Sequence, residues 1–205
     1  MSDQRYNHPA ALPDEALLEQ CTIGQSRASG PGGQHRNKVS TQITLTHHPT
    51  GISATAGERR SQRENRSLAM RRLRLKLAVE HREPVPAGEI GSDLIKRRLQ
   101  KPKRNNTNSR DTRSKDEVFE ALGVTLRDEP PPPQHRLTVN PKHRDYPAIL
   151  AEVMDAIAAA RWEPKTAAQR FGVSQSQVLK LLKHHPHALG KLNEERTNRG
   201  KHPFH

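Results

Sequence analysis

Several residue types are scarce in this chain, and each scarcity excludes a class of protein. The 205 residues include one cysteine, Cys21, which excludes a disulfide framework and a cysteine-based metal site. Aromatic residues make up 3% of the chain and hydrophobic residues 31%, which argues against one large core. No apolar run approaches the roughly 20 residues of a membrane helix, and the first residues, with Asp3, lack the apolar stretch of a secretory signal. We expect a protein of a reducing compartment that has no membrane contact. The cytoplasm is the expected compartment, and the mitochondrion is the alternative.

Acidic residues are scarce relative to basic ones. The chain has 35 Lys and Arg against 22 Asp and Glu, a formal net charge of +13, which indicates a polyanionic partner. Two stretches hold much of the excess, and we interpret both as phosphate-binding surfaces, with a plain solvated face as the alternative. The first comprises Arg59, Arg60, Arg63, Arg66, Arg71, Arg72, Arg74 and Lys76. The second comprises Lys96, Arg97, Arg98, Lys101, Lys103 and Arg104.

The 12 histidines raise the question of a metal site. Three of them, His184, His185 and His187, are clustered in the sequence, and their neighbours are Lys183 and Pro186. No carboxylate or cysteine stands at ligand spacing beside them. We predict no metal site and assign these histidines to the basic surface.

Residues 39–56 have the pattern of a β-hairpin, and a helix follows it. Alternation of Val39, Thr41, Ile43 and Leu45 with other residues predicts a half-buried strand. Residues 48–51, His-Pro-Thr-Gly, predict a turn, and 52–56 a returning strand. Residues 61–64 form a Ser-x-x-Glu capping box that predicts the start of a long helix. Its apolar positions recur at helical spacing and are Leu68, Ala69, Met70, Leu73 and Leu77.

Ahead of the hairpin, residues 27–38 read Arg-Ala-Ser-Gly-Pro-Gly-Gly-Gln-His-Arg-Asn-Lys, and we call them the GGQ segment. Gly32 and Gly33 permit positive φ and let the backbone approach another molecule where a Cβ would collide. Pro31 restricts the chain just before them. Gln34 then offers an amide side chain and a backbone N–H at the tip of the segment.

The GGQ segment resembles the catalytic loop of class I peptide chain release factors and their stalled-ribosome rescue relatives. The flanking agreement involves Arg27, Ser29, Gly30, Pro31, His35, Asn37 and Lys38. It continues through residues 45–52 and 59–66 and covers about residues 12–80, which disfavours an ordinary hairpin turn. The resemblance implies an α+β fold: a small catalytic domain with antiparallel strands packed on a long helix and a mobile GGQ loop.

The resemblance also implies a chemistry. In the family this loop enters the ribosomal peptidyl-transferase centre and promotes hydrolysis of the ester between peptide and tRNA. Gly32, Gly33 and Gln34 would be catalytic, with the Gln34 N–H stabilising the developing oxyanion or the departing tRNA 3′ oxygen. Glutamine has no useful pKa, so its side chain would orient water rather than act as a general base. No cofactor is implied, but family glutamines at this position are found N-methylated, so Gln34 is a candidate for that modification.

The predicted rRNA- and tRNA-binding residues belong to the GGQ segment and to the two basic stretches. They are Arg27, Ser29, Arg36, Asn37, Lys38, Arg59, Arg60, Arg63, Arg66, Lys96, Arg97, Arg98, Lys101, Lys103 and Arg104.

Three regions are expected along the chain. Residues 1–82 would form the GGQ catalytic domain, and prolines from Pro84 onward would end its long helix. Residues 83–143 read as a basic, proline-containing linker with short helices near 90–99 and 115–122 and a four-proline spacer at 130–133. Residues 144–205 would form a small all-α unit.

The all-α unit opens with an amphipathic helix, whose predicted apolar face comprises Ile149, Leu150, Val153, Met154 and Ile157. Residues 166–182 are similar to a helix-turn-helix, with Gly172 at the turn and Ser174 as the cap of the second helix. The outward residues and potential contacts are Gln175, Gln177, Lys180 and Lys183. A plain helical hairpin with no nucleic-acid role is the alternative.

Two functions of different class are compatible with this organisation. Only 26 residues precede Arg27, so we expect no stop-codon recognition domain and no Pro-x-Thr or Ser-Pro-Phe recognition tripeptide. The favoured function is codon-independent hydrolysis of peptidyl-tRNA on stalled ribosomes, with the ribosome and peptidyl-tRNA as partners of a monomeric enzyme. The alternative is a non-catalytic ribosome- or RNA-binding factor that recognises its target through the C-terminal helices. The rescue pattern contains nothing like residues 145–200, whose role stays open.

Overall fold

The computed structural model describes residues 7–26, 41–85, 91–100 and 135–205. The GGQ segment, the predicted helix at 115–122 and the four prolines at 130–133 lie outside these ranges. A 3-10 turn, Pro9–Ala11, and the short helix α1, Asp14–Glu19, open the described chain. Helix α1 contacts the strand that follows it, whereas the 3-10 turn packs against helices from later in the chain.

A three-stranded antiparallel sheet forms the first half of the fold. Its strands β1 (Cys21–Ser26), β2 (Gln42–His47) and β3 (Ser53–Ala56) pair in the order β1-β2-β3. Alternate residues of β2 are buried, because successive side chains of a strand point to opposite faces. Gly51, at φ +69°, completes the β2–β3 turn. The predicted hairpin is confirmed.

A long helix, α2 (Gln62–Glu80), packs across β2 and β3 and buries Ala69, Leu73 and Leu77. The predicted start at Ser61 is confirmed, but its side chain makes no capping hydrogen bond, so the capping box is wrong in that detail. The helix ends at Glu80, and the residues that follow it up to Pro84 are not helical. The α+β class is confirmed.

Four further helices form the C-terminal part of the described chain. They are α4 (Tyr146–Ala159), α5 (Pro164–Arg170), α6 (Gln175–Lys183) and α7 (Pro186–Thr197). Sequence analysis missed α7, although Pro186 at its first position and the spacing of Ala188 and Leu192 are ordinary helix signals.

Helix α4 differs from the amphipathic helix that its sequence predicts. Every residue from Tyr146 to Ile157 is buried, including Glu152 and Asp155. The prediction of a single apolar face is therefore wrong. Helix α2 packs on one side of α4, and α5 and α6 pack elsewhere on it. Burial of the two carboxylates requires partners inside the protein.

Both buried carboxylates of α4 bond to residues from the first half of the chain. Ser92 donates its backbone N–H to Glu152 Oε1 at 2.5 Å and its hydroxyl to Oε2 at 2.6 Å. Burial raises the pKa of Glu152, and these hydrogen bonds oppose that shift. Arg82 donates to Asp155 Oδ1 at 2.8 Å. These bonds fasten α4 to the chain beyond α2.

Part of the predicted linker is ordered in the same core. A short helix, α3 (Asp93–Lys96), confirms the helix expected near 90–99 in a shorter form, and Ile95 is fully buried. Strands β4 (Leu99–Gln100) and β5 (Arg136–Leu137) then pair antiparallel, which the sequence did not predict. The boundaries 1–82, 83–143 and 144–205 stay a prediction, although one continuous cluster of buried side chains includes members of all three.

The helix-turn-helix pattern is confirmed as a pair of helices. Gly172, at φ +61°, makes the turn between α5 and α6. The Ser174 hydroxyl accepts a 3.4 Å hydrogen bond from the Gln177 N–H, so Ser174 caps α6 as predicted. Gln177 does not point outward as a free contact, because its side-chain oxygen accepts from the Leu137 N–H of β5 at 2.7 Å.

The chain does contain one Pro-x-Thr tripeptide, so the expectation of none is wrong as stated. It is Pro164-Lys165-Thr166, and it forms the first turn of α5 with Pro164 buried. Pro164 is the first residue of α5, where the backbone N–H has no hydrogen-bond partner within the helix, so the missing N–H of proline is tolerated.

Within the described ranges, no helix combines the length and the apolar character needed to cross a bilayer.

Candidate nucleic-acid interface at the base of the GGQ segment

The GGQ segment lies between two paired strands. Ser26, the last residue of β1, pairs with Gln42, the first residue of β2, and Gly24 pairs with Thr44. The chain therefore leaves the sheet and returns to it at neighbouring positions. The predicted residues Arg27, Ser29, Gly32, Gly33, Gln34, Arg36, Asn37 and Lys38 lie between these points, outside the described ranges.

Asn65, fully buried in the first turn of α2, fastens the returning end of the chain. Its amide nitrogen donates to the carbonyl oxygen of Thr41 at 2.6 Å and to that of Arg59 at 2.9 Å. Its side-chain oxygen accepts from the Arg59 N–H at 2.9 Å. Sequence analysis missed Asn65. The available signal was its position four residues before Ala69, on the side of α2 that the helical period predicts to be buried.

The basic residues nearest to this junction are exposed. They are Arg59, Arg60, Arg63 and Arg66. None of these four guanidinium groups forms an ion pair or hydrogen bond with another residue of the described ranges. Because Asn65 bonds both Arg59 and Thr41, this free positive charge stands beside the point where the chain returns from the GGQ segment. The amino-terminal end of α2 adds a partial positive charge at the same place.

The remaining cations of the first basic stretch have internal partners instead. Arg72 donates to the Thr55 carbonyl at 2.7 Å, and Lys76 donates to the Ser53 carbonyl at 2.8 Å. These are carbonyls of β3, an outer strand of the sheet, which the two side chains shield from further pairing. Arg74 bonds Ala10 O and Asp14, and Arg71 bonds the carbonyls of Pro141 and Lys142. Only the start of the stretch is left for an external anion.

The second basic stretch also contains both exposed cations and a cation with an internal partner. Lys96 and Arg97 are exposed, with Lys96 3.6 Å from Asp93. Arg98 is half-buried and donates to Asp145 Oδ2 at 2.9 Å, so it ties β4 to the start of α4. Lys101, Lys103 and Arg104 lie outside the described ranges.

A group of buried histidines supports the other end of the sheet. His47, at the end of β2, bonds Gln20 Oε1 through Nε2 at 3.0 Å and Thr50 Oγ1 through Nδ1 at 2.8 Å. Burial lowers the pKa of His47, with the neighbouring His81 adding to the effect. Burial also lowers the pKa of His8 to about 3, and His8 Nδ1 accepts from the Ala10 N–H at 3.0 Å. These neutral rings are structural, and the described ranges contain no group of three or more residues suited to hold a metal.

Comparison with protein families matches residues 18–120 to the RF-1 domain. The chloroplastic peptide chain release factor PrfB1 of Arabidopsis thaliana is 40% identical over 92 residues, which cover 42% of this chain and 20% of the relative. Peptide chain release factor 1 of Ureaplasma parvum is 53% identical over 74 residues, 33% of this chain and 21% of the relative. Peptide chain release factor 2 of Staphylococcus haemolyticus is 52% identical over 56 residues, 27% of this chain and 15% of the relative.

The chain thus spans about a fifth or less of the length of these relatives through the matched region. The RF-1 match itself covers half of the chain and includes the GGQ segment, the sheet and α2. These are the elements that hold the two ends of the GGQ segment and the free arginines together. The chain belongs to the class I peptide chain release factor family.

Proposed function

We propose that this protein promotes hydrolysis of the ester bond of peptidyl-tRNA on the ribosome. The observation that carries the proposal is the intact Gly32-Gly33-Gln34 sequence inside the RF-1 match, joined to the sheet at the Ser26–Gln42 pair. Asn65 and the four free arginines, which lie just before α2 and in its first turns, stand at the same junction. In this proposal the catalytic segment and the anion-binding surface begin at neighbouring points of the β1–β2 pair and the start of α2.

Gln34 supplies geometry and electrostatics in this proposal rather than a proton. Its backbone N–H donates to the oxygen on which negative charge develops, and its side chain positions the attacking water. One preorganised donor of this kind is worth about 10²–10³ in rate. The ribosome and the tRNA supply the rest of the site, and N-methylation of Gln34 would tune the side chain without a cofactor.

Arg59, Arg60, Arg63 and Arg66 bind the phosphates of ribosomal RNA in this proposal, and Lys96 and Arg97 extend the surface. The four arginines are exposed and have no ion-pair or hydrogen-bond partner for their guanidinium groups among the described residues, which supports this role. Lys96 and Arg97 are exposed as well, with Lys96 3.6 Å from Asp93. Each phosphate neutralised by a cation releases counterions, so ribosome binding should weaken steeply as salt rises.

We propose further that release does not depend on a stop codon. The chain has one Pro-x-Thr tripeptide, and its place in the first turn of α5, with Pro164 buried, does not suit the reading of an mRNA base. Ribosomes stalled on an mRNA without a stop codon are then the substrate, and the protein acts as a monomer.

The deciding experiment measures release of labelled peptide from ribosomes stalled at the end of such an mRNA. Gln34→Ala should lower the release rate by about 10²–10³, because the tip of the GGQ segment is altered. Gln25→Ala, at an exposed position near the end of β1, is the matched control and should release peptide like the wild type. Release by Gln34→Ala at the wild-type rate would refute the catalytic proposal.

The same assay with a stop codon or a sense codon in the ribosomal A site tests the second part. Codon-independent rescue predicts equal release rates with a stop codon and with a sense codon in the A site. Both rates should lie below the release rate on the truncated mRNA. A rate that rises strongly on the stop codon alone would overturn rescue while leaving hydrolysis intact.

A further inference from the structure

The helix-turn-helix region has an unusual charge composition. Residues 164–193 contain five Lys or Arg, three His and no Asp or Glu. The flanking acids are already engaged, since Glu163 pairs with Arg196 at 3.1 Å and with Lys201, and Glu194 pairs with Lys191 at 3.0 Å. The region itself therefore supplies no carboxylate to balance Lys180 and Lys183.

The cations of α6 lie on its exposed face. Ser176, Lys180 and Lys183 are exposed, at spacings of four and three residues that place them in one row along the helix. Val178, Leu181 and Leu182 are buried on the opposite side. Neither Lys180 nor Lys183 has a hydrogen-bond or ion-pair partner among the described residues.

Strand β5 adds a third cation next to this row. The Leu137 N–H donates to the Gln177 side chain, and the His135 N–H donates to the Gly172 carbonyl at 2.9 Å, so β5 lies along the first turn of α6. Leu137 is half-buried and its neighbour Arg136 is exposed, as the alternation of a strand requires. Lys180 follows Gln177 by one helical turn. We call Arg136, Ser176, Lys180 and Lys183 the α6 basic surface.

The contact between β5 and α6 bears on which kind of nucleic acid this surface can bind. A helix-turn-helix reads DNA by inserting the first turn of its second helix into the major groove. Here Gln177, one of the predicted contact residues of that turn, is already bonded to the backbone of β5 and is not available to a base. The exposed cations Arg136, Lys180 and Lys183 suit a phosphate backbone, which takes positive charge without base recognition. Backbone contact without base reading is how double-stranded RNA is bound, because its major groove is too narrow for side chains.

We infer that the α6 basic surface binds the phosphate backbone of structured RNA, as a second RNA site separate from the arginines of α2. The inference concerns binding alone and does not depend on whether the GGQ segment hydrolyses peptidyl-tRNA. It assigns a role to a part of the chain that lies beyond the RF-1 match.

The test uses the full chain and a fluorescent RNA duplex of about 16 base pairs, the length that a double-stranded RNA module spans. Lys180→Gln combined with Lys183→Gln should weaken binding about tenfold and lower the slope of log affinity against log salt by about 2. The matched control combines Lys142→Gln with Arg144→Gln, two exposed residues before α4, and removes the same charge. Thermal unfolding of both variants should match the wild type, since the side chains are exposed.

The inference requires that the α6 variant lose more affinity than the control. Equal losses would mean that net charge alone drives binding and would overturn it, as would no loss in either variant. A DNA duplex of the same sequence, bound as tightly as the RNA and weakened as much by the α6 substitutions, would overturn the assignment to RNA.

Discussion

At the scale of single residues, a buried amide organises the junction from which the candidate site extends. Asn65 uses both its donor and its acceptor on backbone groups of Thr41 and Arg59. It does not replace Ser61 as a helix cap, because its bonds go to residues outside α2, and it joins the first turn of α2 to Thr41, where the chain returns to the sheet. A side chain of this kind links fold and function, because the same bonds stabilise the helix start and orient the chain beside the free arginines.

Replacement of Asn65 by Ala should destabilise the protein by about 1–3 kcal/mol, since buried backbone groups lose their partners. Peptide release should fall as well, because the return point of the GGQ segment is released from α2. Asn198→Ala, at an exposed position after α7, is the matched control and should change stability by less than about 0.5 kcal/mol. Urea unfolding and the release assay measure the two effects. Equal unfolding midpoints for both variants would show that the Asn65 bonds contribute little.

At the scale of elements, the short helix α3 depends on a glycine for its approach to the C-terminal helices. Gly91, at φ +87°, brings Ser92 within reach of Glu152 and precedes the buried Ile95. A Cβ on Gly91 would lie 2.4 Å from Ile95 Cγ2 and 3.2 Å from Phe171 Cε1. Steric space and backbone conformation therefore both require glycine at this position.

Gly91→Ala should lower the free energy of unfolding by about 2 kcal/mol or more, since it combines a strained φ with overpacking against Ile95. Gly190→Ala is the control of opposite sign. It lies inside α7 with no atom within 4 Å of an added Cβ, so it should raise stability by up to about 1 kcal/mol. Chemical denaturation of the two variants measures both. A Gly91→Ala protein as stable as the wild type would contradict the close packing of α3 on α4 and α5.

At the scale of the whole molecule, the release-factor part and the C-terminal helices share one core. Leu73 of α2, Ile95 of α3, Ile149 of α4 and Leu182 of α6 belong to the same cluster of buried side chains. The buried pairs Arg82–Asp155 and Ser92–Glu152 cross the same contact. Cooperative unfolding of the described elements follows from such packing.

The buried histidines make that cooperative stability depend on pH. Burial lowers the pKa of His8 to about 3, although a hydrogen bond to the His81 backbone opposes the shift, while an unfolded histidine titrates near 6.5. The unfolded chain thus binds more protons between these values, so stability is full above about pH 7 and falls as pH drops toward 3. His47 contributes in the same direction, since its pKa is lowered too.

His8→Asn should flatten this dependence. Asparagine can accept the Ala10 N–H as His8 Nδ1 does, but it does not titrate. Urea unfolding between about pH 7 and 4 should show a smaller loss of stability per pH unit than the wild type, by up to about 1.4 kcal/mol per unit. His205→Asn, at an exposed position, should follow the wild-type slope. Identical slopes for all three proteins would remove His8 as a cause of acid sensitivity.

Features that depend on neighbouring residues could be predicted from the amino-acid sequence. The family follows from the contiguous GGQ segment and its flanks, the hairpin from alternation and the turn at 48–51, and the α5–α6 pair from Gly172 and Ser174. Each of these signals acts over a few residues, through backbone conformation or a local hydrogen bond. The catalytic assignment of Gly32, Gly33 and Gln34 still rests on that sequence alone.

Only the tertiary structure decided how the charged and polar residues are used. Arg59 and Arg72 both lie in the first basic stretch, yet the guanidinium group of Arg59 is free and that of Arg72 bonds Thr55 and Glu58. Gln177 faces β5 rather than solvent, and α4 is buried on all sides rather than on one face. In each case the partner comes from tens of residues away or from another helix, so no periodicity within the element contains the information.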